Sequence, residues 1–132
     1  MIYLRQSTAS QEIPLGPFLD DTDFNTPEDG LTIANTDIKL WITGATTLAN
    51  KTSGGATDIA GGVYYAVLDA TDTATCGPLK IFCHPAGSIA VQLECCVLPQ
   101  NVYDSFVAGT SQVTPATIAA EVVIEMDATS TK

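Results

Sequence analysis

Apolar and polar side chains alternate with a period of two along most of the chain, the pattern of β-strands that bury one face. The longest such stretch covers residues 89–98, and one of its faces is wholly apolar: Ile89, Val91, Leu93, Cys95 and Val97. Residues 79–84 alternate in the same way, and the short turn-forming segment 85–88 separates the two stretches. The sequence therefore predicts a β-hairpin over residues 79–98.

Further strands are predicted upstream, separated by segments rich in Gly, Pro, Asn, Asp and Thr. Pro14 and Pro17 confine the first of them to the edge of a sheet, since proline cannot donate to a strand ladder. The predicted strands are residues 13–19, 31–34, 38–43, 46–50 and 63–68. About seven short strands at this spacing predict a mainly β fold, an immunoglobulin-like antiparallel β-sandwich, with a barrel as the alternative.

Helical spacing replaces the alternation after Pro99. Residues 101–109 predict a short helix that Asn101 caps and Gly109 ends. Its apolar residues fall on one side, as helical neighbours three and four positions apart must. They are Val102, Tyr103, Phe106 and Val107.

A second, C-terminal helix is predicted from Thr114, because threonine caps helices well and Pro115 suits the first helical position. Its apolar stripe is Ile118, Ala119, Val122, Val123 and Met126. The stripe packs either on its own sandwich or on another chain, and an exposed stripe is the least favoured alternative. We thus predict a β-sandwich domain with a short closing helix over residues 1–109. Residues 110–132 then form a helical extension for oligomerisation or docking.

Composition narrows the function classes. The 132-residue chain carries five Lys and Arg against 15 Asp and Glu, a formal net charge of −10. So few cations make no basic patch, which argues against nucleic acid and anionic membranes as partners. No apolar run approaches the roughly 20 residues of a membrane helix, and the first residues lack a signal-peptide pattern. Charged residues are only 15%, against about 25% typically, so either a partner covers part of the surface or the domain is simply rich in Thr and Ala.

The cysteines do not predict a metal site. Cys95 and Cys96 are adjacent, and adjacent strand residues point to opposite faces, so the two cannot easily share one tetrahedral ion. We expect Cys76, Cys83, Cys95 and Cys96 to be buried free thiols, with a Cys76–Cys83 bridge as the alternative.

Nothing in the sequence predicts an enzyme. The one histidine, His84, follows Cys83, whose side chain points the other way, so no nucleophile and base are paired. The acids of residues 20–29 lack the register of a calcium-binding loop and are expected to be solvated. We expect no catalytic residues, no cofactor and no metal.

Aromatic residues indicate contact surfaces. On the strand at residues 38–43, Leu40 and Trp41 face opposite ways, so Trp41 is either an exposed interface anchor or a core residue. Tyr64 and Tyr65 pose the same choice, because only one of them can face inward. The predicted interface residues are Trp41, Tyr103, Phe106, Ile118, Val122 and Met126.

Several segments resemble a family of tailed-phage virion proteins, namely the tail-, fibre- and baseplate-associated β-sandwich proteins. The resemblance runs over nearly the whole chain up to Gly109, and it supplies no catalytic residue. The segments are LRQSTASQEIPLGPF (4–18), GLTI (30–33), DIKL (37–40), GVYY (62–65), LDATDT (68–73) and NVYDS (101–105).

The resemblance implies a structural protein of the virion, assembled in the host cytoplasm. Its implied role is that of a tail-associated adaptor or fibre-anchoring module, with other virion proteins as partners and copies of itself in a trimer or higher oligomer. Two alternatives remain. One is a capsid decoration (cement) protein that clamps neighbouring shell subunits, and the other is a carbohydrate-binding module that stacks Trp41 and tyrosines on host sugars.

Overall fold

Within the described part of the chain, residues 1–110 and 115–116 of a computed structural model, eight strands form two sheets. The larger sheet has the strand order β1-β8-β7-β3-β4, and the smaller sheet has the order β2-β6-β5. A 3-10 turn, Asn35–Asp37, precedes β3. The strands are β1 Ile2–Arg5, β2 Gln11–Leu15, β3 Ile38–Ile42, β4 Ala49–Asn50, β5 Ala56–Ala60, β6 Val63–Leu68, β7 Gly77–Cys83 and β8 Val91–Leu98.

One hydrophobic core joins the inward faces of both sheets, which confirms a mainly β, sandwich-like fold. Alternation along strands such as β2, β3, β6 and β7 directs every second side chain into this core. Phe18 and Tyr64 meet there edge to face, with ring centroids 5.3 Å apart and planes at 81°. The buried apolar residues are Leu4, Ile13, Leu15, Phe18, Ile33, Ile38, Leu40, Tyr64, Ala66, Leu68, Leu79, Ile81, Cys83, Cys95 and Val97.

The hairpin of β7 and β8 is confirmed, with Leu79 opposite Cys95 and Ile81 opposite Leu93. Strand β3 continues the same inward rows, since Leu40 lies opposite Ile81. Strand β2 is an edge strand, as Pro14 predicted, and pairs only with β6.

The prediction of a wholly antiparallel sandwich is wrong at β1, which runs parallel to β8 with Leu4 beside Val97. The chain leaves β1 and enters β2 in the other sheet, so β1 is not the arm of a hairpin. Gln11 holds this crossover. Its side-chain oxygen accepts from the Arg5 backbone N–H at 2.7 Å, and its amide nitrogen donates to the Arg5 and Thr8 carbonyls at 2.9 Å each.

Two other strand predictions need correction. Residues 31–34 do not form a strand, because only Ile33 pairs, in an isolated bridge with Ala56. Strand β5 was missed because it is an exposed edge with almost no apolar alternation. Gly55 lets these segments approach each other, since a Cβ there would lie 1.5 Å from the Ile33 carbonyl oxygen.

A buried carboxylate ties together two of the loops that pass from one sheet to the other. Asp72 is 4% exposed and follows β6, whereas Thr52 precedes β5. One Asp72 oxygen accepts from the backbone N–H of Thr52 at 3.0 Å and from its hydroxyl at 2.7 Å. The other oxygen accepts from the Asp69 N–H at 3.1 Å. Hydrogen bonds of this kind compensate the cost of removing a carboxylate from water.

We therefore expect Asp72→Asn to lower the free energy of unfolding by about 1–3 kcal/mol. The substitution replaces one accepting oxygen with an NH2 group, so that one of the N–H or O–H donors around Asp72 then faces another donor. Urea unfolding followed by circular dichroism measures the change. Asp21→Asn is the matched control at an exposed loop position and should change stability by less than about 0.5 kcal/mol. Equal effects of the two substitutions would contradict a structural role for Asp72.

The chain divides into two compact units, Met1–Gln100 and Asn101–Lys132. A short helix, α1 (Gln100–Tyr103), runs into a π-helical turn over Asp104–Ala108. Gly109 ends it in the left-handed conformation at φ 68°, as predicted. Asn101 lies within α1 and is not its cap, because the helix begins one residue earlier.

The division after Gln100 places residues 101–109 with the C-terminal unit, whereas the sequence grouped them with the sandwich. Of the predicted second helix, Pro115 and Ala116 are described and are helical. Ile118, Val122 and Met126 lie outside the described residues.

Candidate interaction surface

Trp41 lies on the outer face of the larger sheet. Its neighbour Leu40 is 1% exposed and fills the core, so the alternation of β3 sends the indole outward. Trp41 is therefore not a core residue: its side chain lies outside the core and is half-buried. Tyr64 and Tyr65 divide in the same way, with Tyr64 inside and Tyr65 half-buried outside.

A groove of about 290 Å³, called the Trp41 groove below, crosses this outer face. Lys80 lies opposite Trp41 on β7, and Glu94 lies opposite Lys80 on β8. The three side chains thus form one row across three strands. The groove is lined by Met1, Trp41, Pro78, Leu79, Lys80, Glu94 and Cys95.

The indole is held in place by the turn that follows β3. Trp41 Nε1 donates to the Ala45 carbonyl at 3.1 Å. The Ala45 N–H in turn donates to the Ile42 carbonyl at 2.8 Å, and Gly44 allows this tight turn with φ of 88°. The aromatic wall of the groove is therefore oriented before any partner arrives, which lowers the entropic cost of binding.

The side chains of Lys80 and Glu94 bring opposite charges to the groove. Lys80 Nζ lies 3.5 Å from a Glu94 carboxylate oxygen, and the same ammonium stands 5.7 Å from the centroid of the Phe82 ring. The Glu94 side chain is 65% exposed. A single solvent-exposed ion pair of this length contributes only about 0–1 kcal/mol, so the Glu94 carboxylate remains open to a better partner.

A second apolar surface lies on the C-terminal unit. Phe106 is 78% exposed, and Val102 and Val107 are also exposed, whereas Tyr103 is half-buried. Val102 and Phe106 flank a shallow depression of about 190 Å³ that Asn101 and Ser105 complete. The structure therefore brings Phe106 together with Val102, but Tyr103 does not line this depression.

A third depression, of about 410 Å³, lies at one end of the smaller sheet and was not predicted. Lys51 lines it but is only 2% exposed. Its ammonium donates to the carbonyls of Ser53 and Gly54, so the charge holds its own loop together and is not presented to a ligand. A lone lysine in a polar loop gives no sequence signal for such burial.

Among the described residues, the cysteine thiols are candidate reactive groups. All four cysteines are free, and Cys76 and Cys83 sit at opposite ends of β7, too far apart for a bridge. Cys83 and Cys95 are buried, as predicted, whereas Cys76 and Cys96 are only half-buried. Burial raises the pKa of Cys83 to about 12 and that of Cys95 to about 11, so both thiols are unreactive at neutral pH.

His84 is exposed, and no group of three or more His, Cys, Asp or Glu among the described residues is arranged to hold a metal ion. The acids of the loop after β2 interact with one another. Hydrogen bonds from Thr22 lower the pKa of Asp20, and the neighbouring Asp20 carboxyl raises the pKa of Glu28. All of these carboxyls are open to water.

The buried thiols predict a pH dependence of stability. The unfolded chain loses thiol protons near the ordinary pKa of 9.0, whereas the folded chain keeps those of Cys83 and Cys95 to about pH 11–12. The folded state then holds more protons, so this contribution is complete below pH 9 and is lost as the pH rises towards 12. We expect Cys83→Ala to reduce the loss of stability between pH 9 and 10.5 by up to about 1.4 kcal/mol per pH unit.

Urea unfolding at several pH values measures this slope. Ile81→Ala is the control, because it removes a buried side chain of the same strand without removing a thiol. An Ile81→Ala slope like that of the unsubstituted chain is expected. A Cys83→Ala slope that is also unchanged would be inconsistent with a neutral, buried thiol.

Comparison with known proteins identifies no relative, since no protein-family model, curated protein or solved structure matches this chain. None of the helices in the described residues is both long enough and apolar enough to cross a membrane.

Proposed function

We propose that this chain is a non-enzymatic structural protein of a tailed-phage virion, a tail-associated adaptor or fibre-anchoring module that acts by protein–protein contacts. The observation that carries the proposal is the Trp41 groove, in which a hydrogen bond orients an indole on the outer face of the larger sheet. Tryptophan is among the residues that most often dominate interface energies. The exposed Phe106 surface gives a second site of contact, and the segments that resemble phage virion proteins give the context.

An immunoglobulin-like connectivity is part of this proposal. Strands β8, β7, β3 and β4 follow one another in the larger sheet as the G, F, C and C′ strands do in such domains, and β2, β6 and β5 follow the B, E, D order. The parallel strand β1 extends the larger sheet beyond β8. The chain departs from antibody domains in its outward Trp41, where those domains bury a tryptophan.

Carbohydrate binding for host adsorption is the second candidate, and the Trp41 groove is again the observation that favours it. An indole can stack on a sugar ring, and Glu94 can accept hydrogen bonds from hydroxyl groups. The two candidates differ in the partner and not in the surface. In the structural role, the chain self-associates through residues 114–132 into a trimer or higher oligomer. It is then located in the virion.

Variants of the two exposed surfaces test the proposal in assembling particles. We expect Trp41→Ala and Phe106→Asp each to lower incorporation into purified virions by roughly thirty-fold, the equivalent of about 2 kcal/mol at a dominant contact. Quantitative mass spectrometry of the particles measures incorporation, and thermal unfolding checks that the variants fold.

Ile59→Ser is the matched control, because Ile59 is also an exposed apolar residue but lies on the edge strand β5. It should be incorporated normally. Absence of the unsubstituted chain from purified virions, or normal incorporation of both variants, would overturn the proposal. Adsorption of the isolated monomer to host cells that a soluble glycan inhibits would support the carbohydrate alternative.

A further inference from the structure

We propose that the Trp41 groove receives an arginine side chain of the partner protein, with the guanidinium between the indole of Trp41 and the carboxylate of Glu94. The inference rests on the proposed function, because it presumes that this face of the larger sheet contacts a protein.

The indole supplies one wall of the site. The hydrogen bond from Trp41 Nε1 to Ala45 fixes the ring, and the nearby ammonium of Lys80 stands over Phe82 on its own strand. Tryptophan is the best aromatic partner for a cation, and arginine is the cation found most often in such contacts. A planar guanidinium can stack on the ring while its edge still donates hydrogen bonds.

The carboxylate of Glu94 supplies the other side of the site. Its contact with Lys80 is a single 3.5 Å approach, and most of the Glu94 side chain is exposed. A guanidinium can instead donate two parallel hydrogen bonds to one carboxylate, which is stronger and more directional than a single ammonium contact. Arginine therefore replaces Lys80 at Glu94, and Lys80 keeps its place over Phe82.

The net charge of the whole chain favours a basic partner over a neutral sugar. The chain has 15 acidic residues and five lysines and arginines, so its field attracts cationic groups and speeds their association. The volume of about 290 Å³ is at the lower limit of small-molecule pockets and suits one long side chain. Lysine fits less well, since a compact ammonium neither stacks nor makes two parallel bonds.

The single tryptophan of the chain makes the test direct, because its fluorescence and its indole N–H signal in NMR spectra report on this groove alone. The probe is the capped tripeptide Gly-Arg-Gly, titrated at low ionic strength. We expect a dissociation constant in the millimolar range, the equivalent of about −4 kcal/mol. Gly-citrulline-Gly, which has the same shape without the charge, should bind at least ten-fold more weakly.

Substitutions assign the contacts. Glu94→Gln should weaken the binding of Gly-Arg-Gly at least five-fold. Glu12→Gln, the same charge change at an exposed position of the edge strand β2, should have a much smaller effect. Lys80→Gln should strengthen binding, because it removes the competing cation. Lys39→Gln on the neighbouring strand β3 is its control and should strengthen binding less.

Three results would overturn the inference: equal binding of the arginine and citrulline peptides, equal effects of Glu94→Gln and Glu12→Gln, or no change of the indole signal with either peptide. A shift of the indole signal with chitotriose and not with Gly-Arg-Gly would also overturn it, in favour of a sugar site. If Trp41→Ala is lost from particles although no peptide binds, the structural role stands and the arginine specificity falls. Peptide binding combined with normal incorporation of Trp41→Ala and Phe106→Asp would leave the arginine site standing and overturn the structural role.

Discussion

Burial of one face of each sheet against the other is the interaction on which the rest of the structure depends. Leu40 and Ile81 from the larger sheet, and Ile13 and Tyr64 from the smaller one, are almost completely removed from water. Each buried side chain of this kind contributes about 1.5–3 kcal/mol relative to an exposed one. Because successive strand residues point in opposite directions, the same burial dictates the outer surface. Leu40 in the core requires Trp41 outside, and the Trp41 groove is a consequence of that choice.

Polar side chains hold the loops that connect the two sheets. Hydrogen bonds of Gln11 stabilise the crossover from β1 to β2, and those of Asp72 connect two loops between the sheets. Hydrogen bonds of Lys51 stabilise the loop before β5. The Tyr64 hydroxyl donates to the Glu28 carbonyl and accepts from the Leu31 N–H, which anchors a long loop to the core. Among the described residues, no buried side-chain nitrogen or oxygen lacks a hydrogen-bond partner.

The alternation of apolar residues was sufficient to predict the strands that carry the core. The alternation predicts strands β3 and β6 and the β7–β8 hairpin. Pro14 predicts the edge position of β2. Strand β5 was not predicted, because an exposed edge strand needs no alternation of apolar and polar residues. Strand β1 was not predicted, because four residues are too few to show such an alternation. The parallel pairing of β1 with β8 joins distant parts of the chain, which no local pattern records.

The candidate site was predictable in part. Alternation placed Trp41 and Leu40 on opposite faces but could not say which face is the core, since that depends on the partner strands. The pairing of Trp41 with Lys80 and Glu94 depends on the register of β3, β7 and β8, which the sequence does not give. The apolar face that carries Phe106 was predicted from helical spacing, whereas its exposure depends on the surroundings of the helix and was not. The burial of Lys51 needed the path of a loop and could not be predicted.

Native-state hydrogen exchange tests most directly whether one shared core holds both sheets. If both sheets share one core, the slowest amides of β6, in the smaller sheet, and of β7, in the larger one, should open with the same free energy and the same denaturant dependence. Such agreement means that both sheets unfold as one cooperative unit. Exchange of the β2, β5 and β6 amides at a clearly lower free energy, while β7 and β8 stay protected, would contradict a common core.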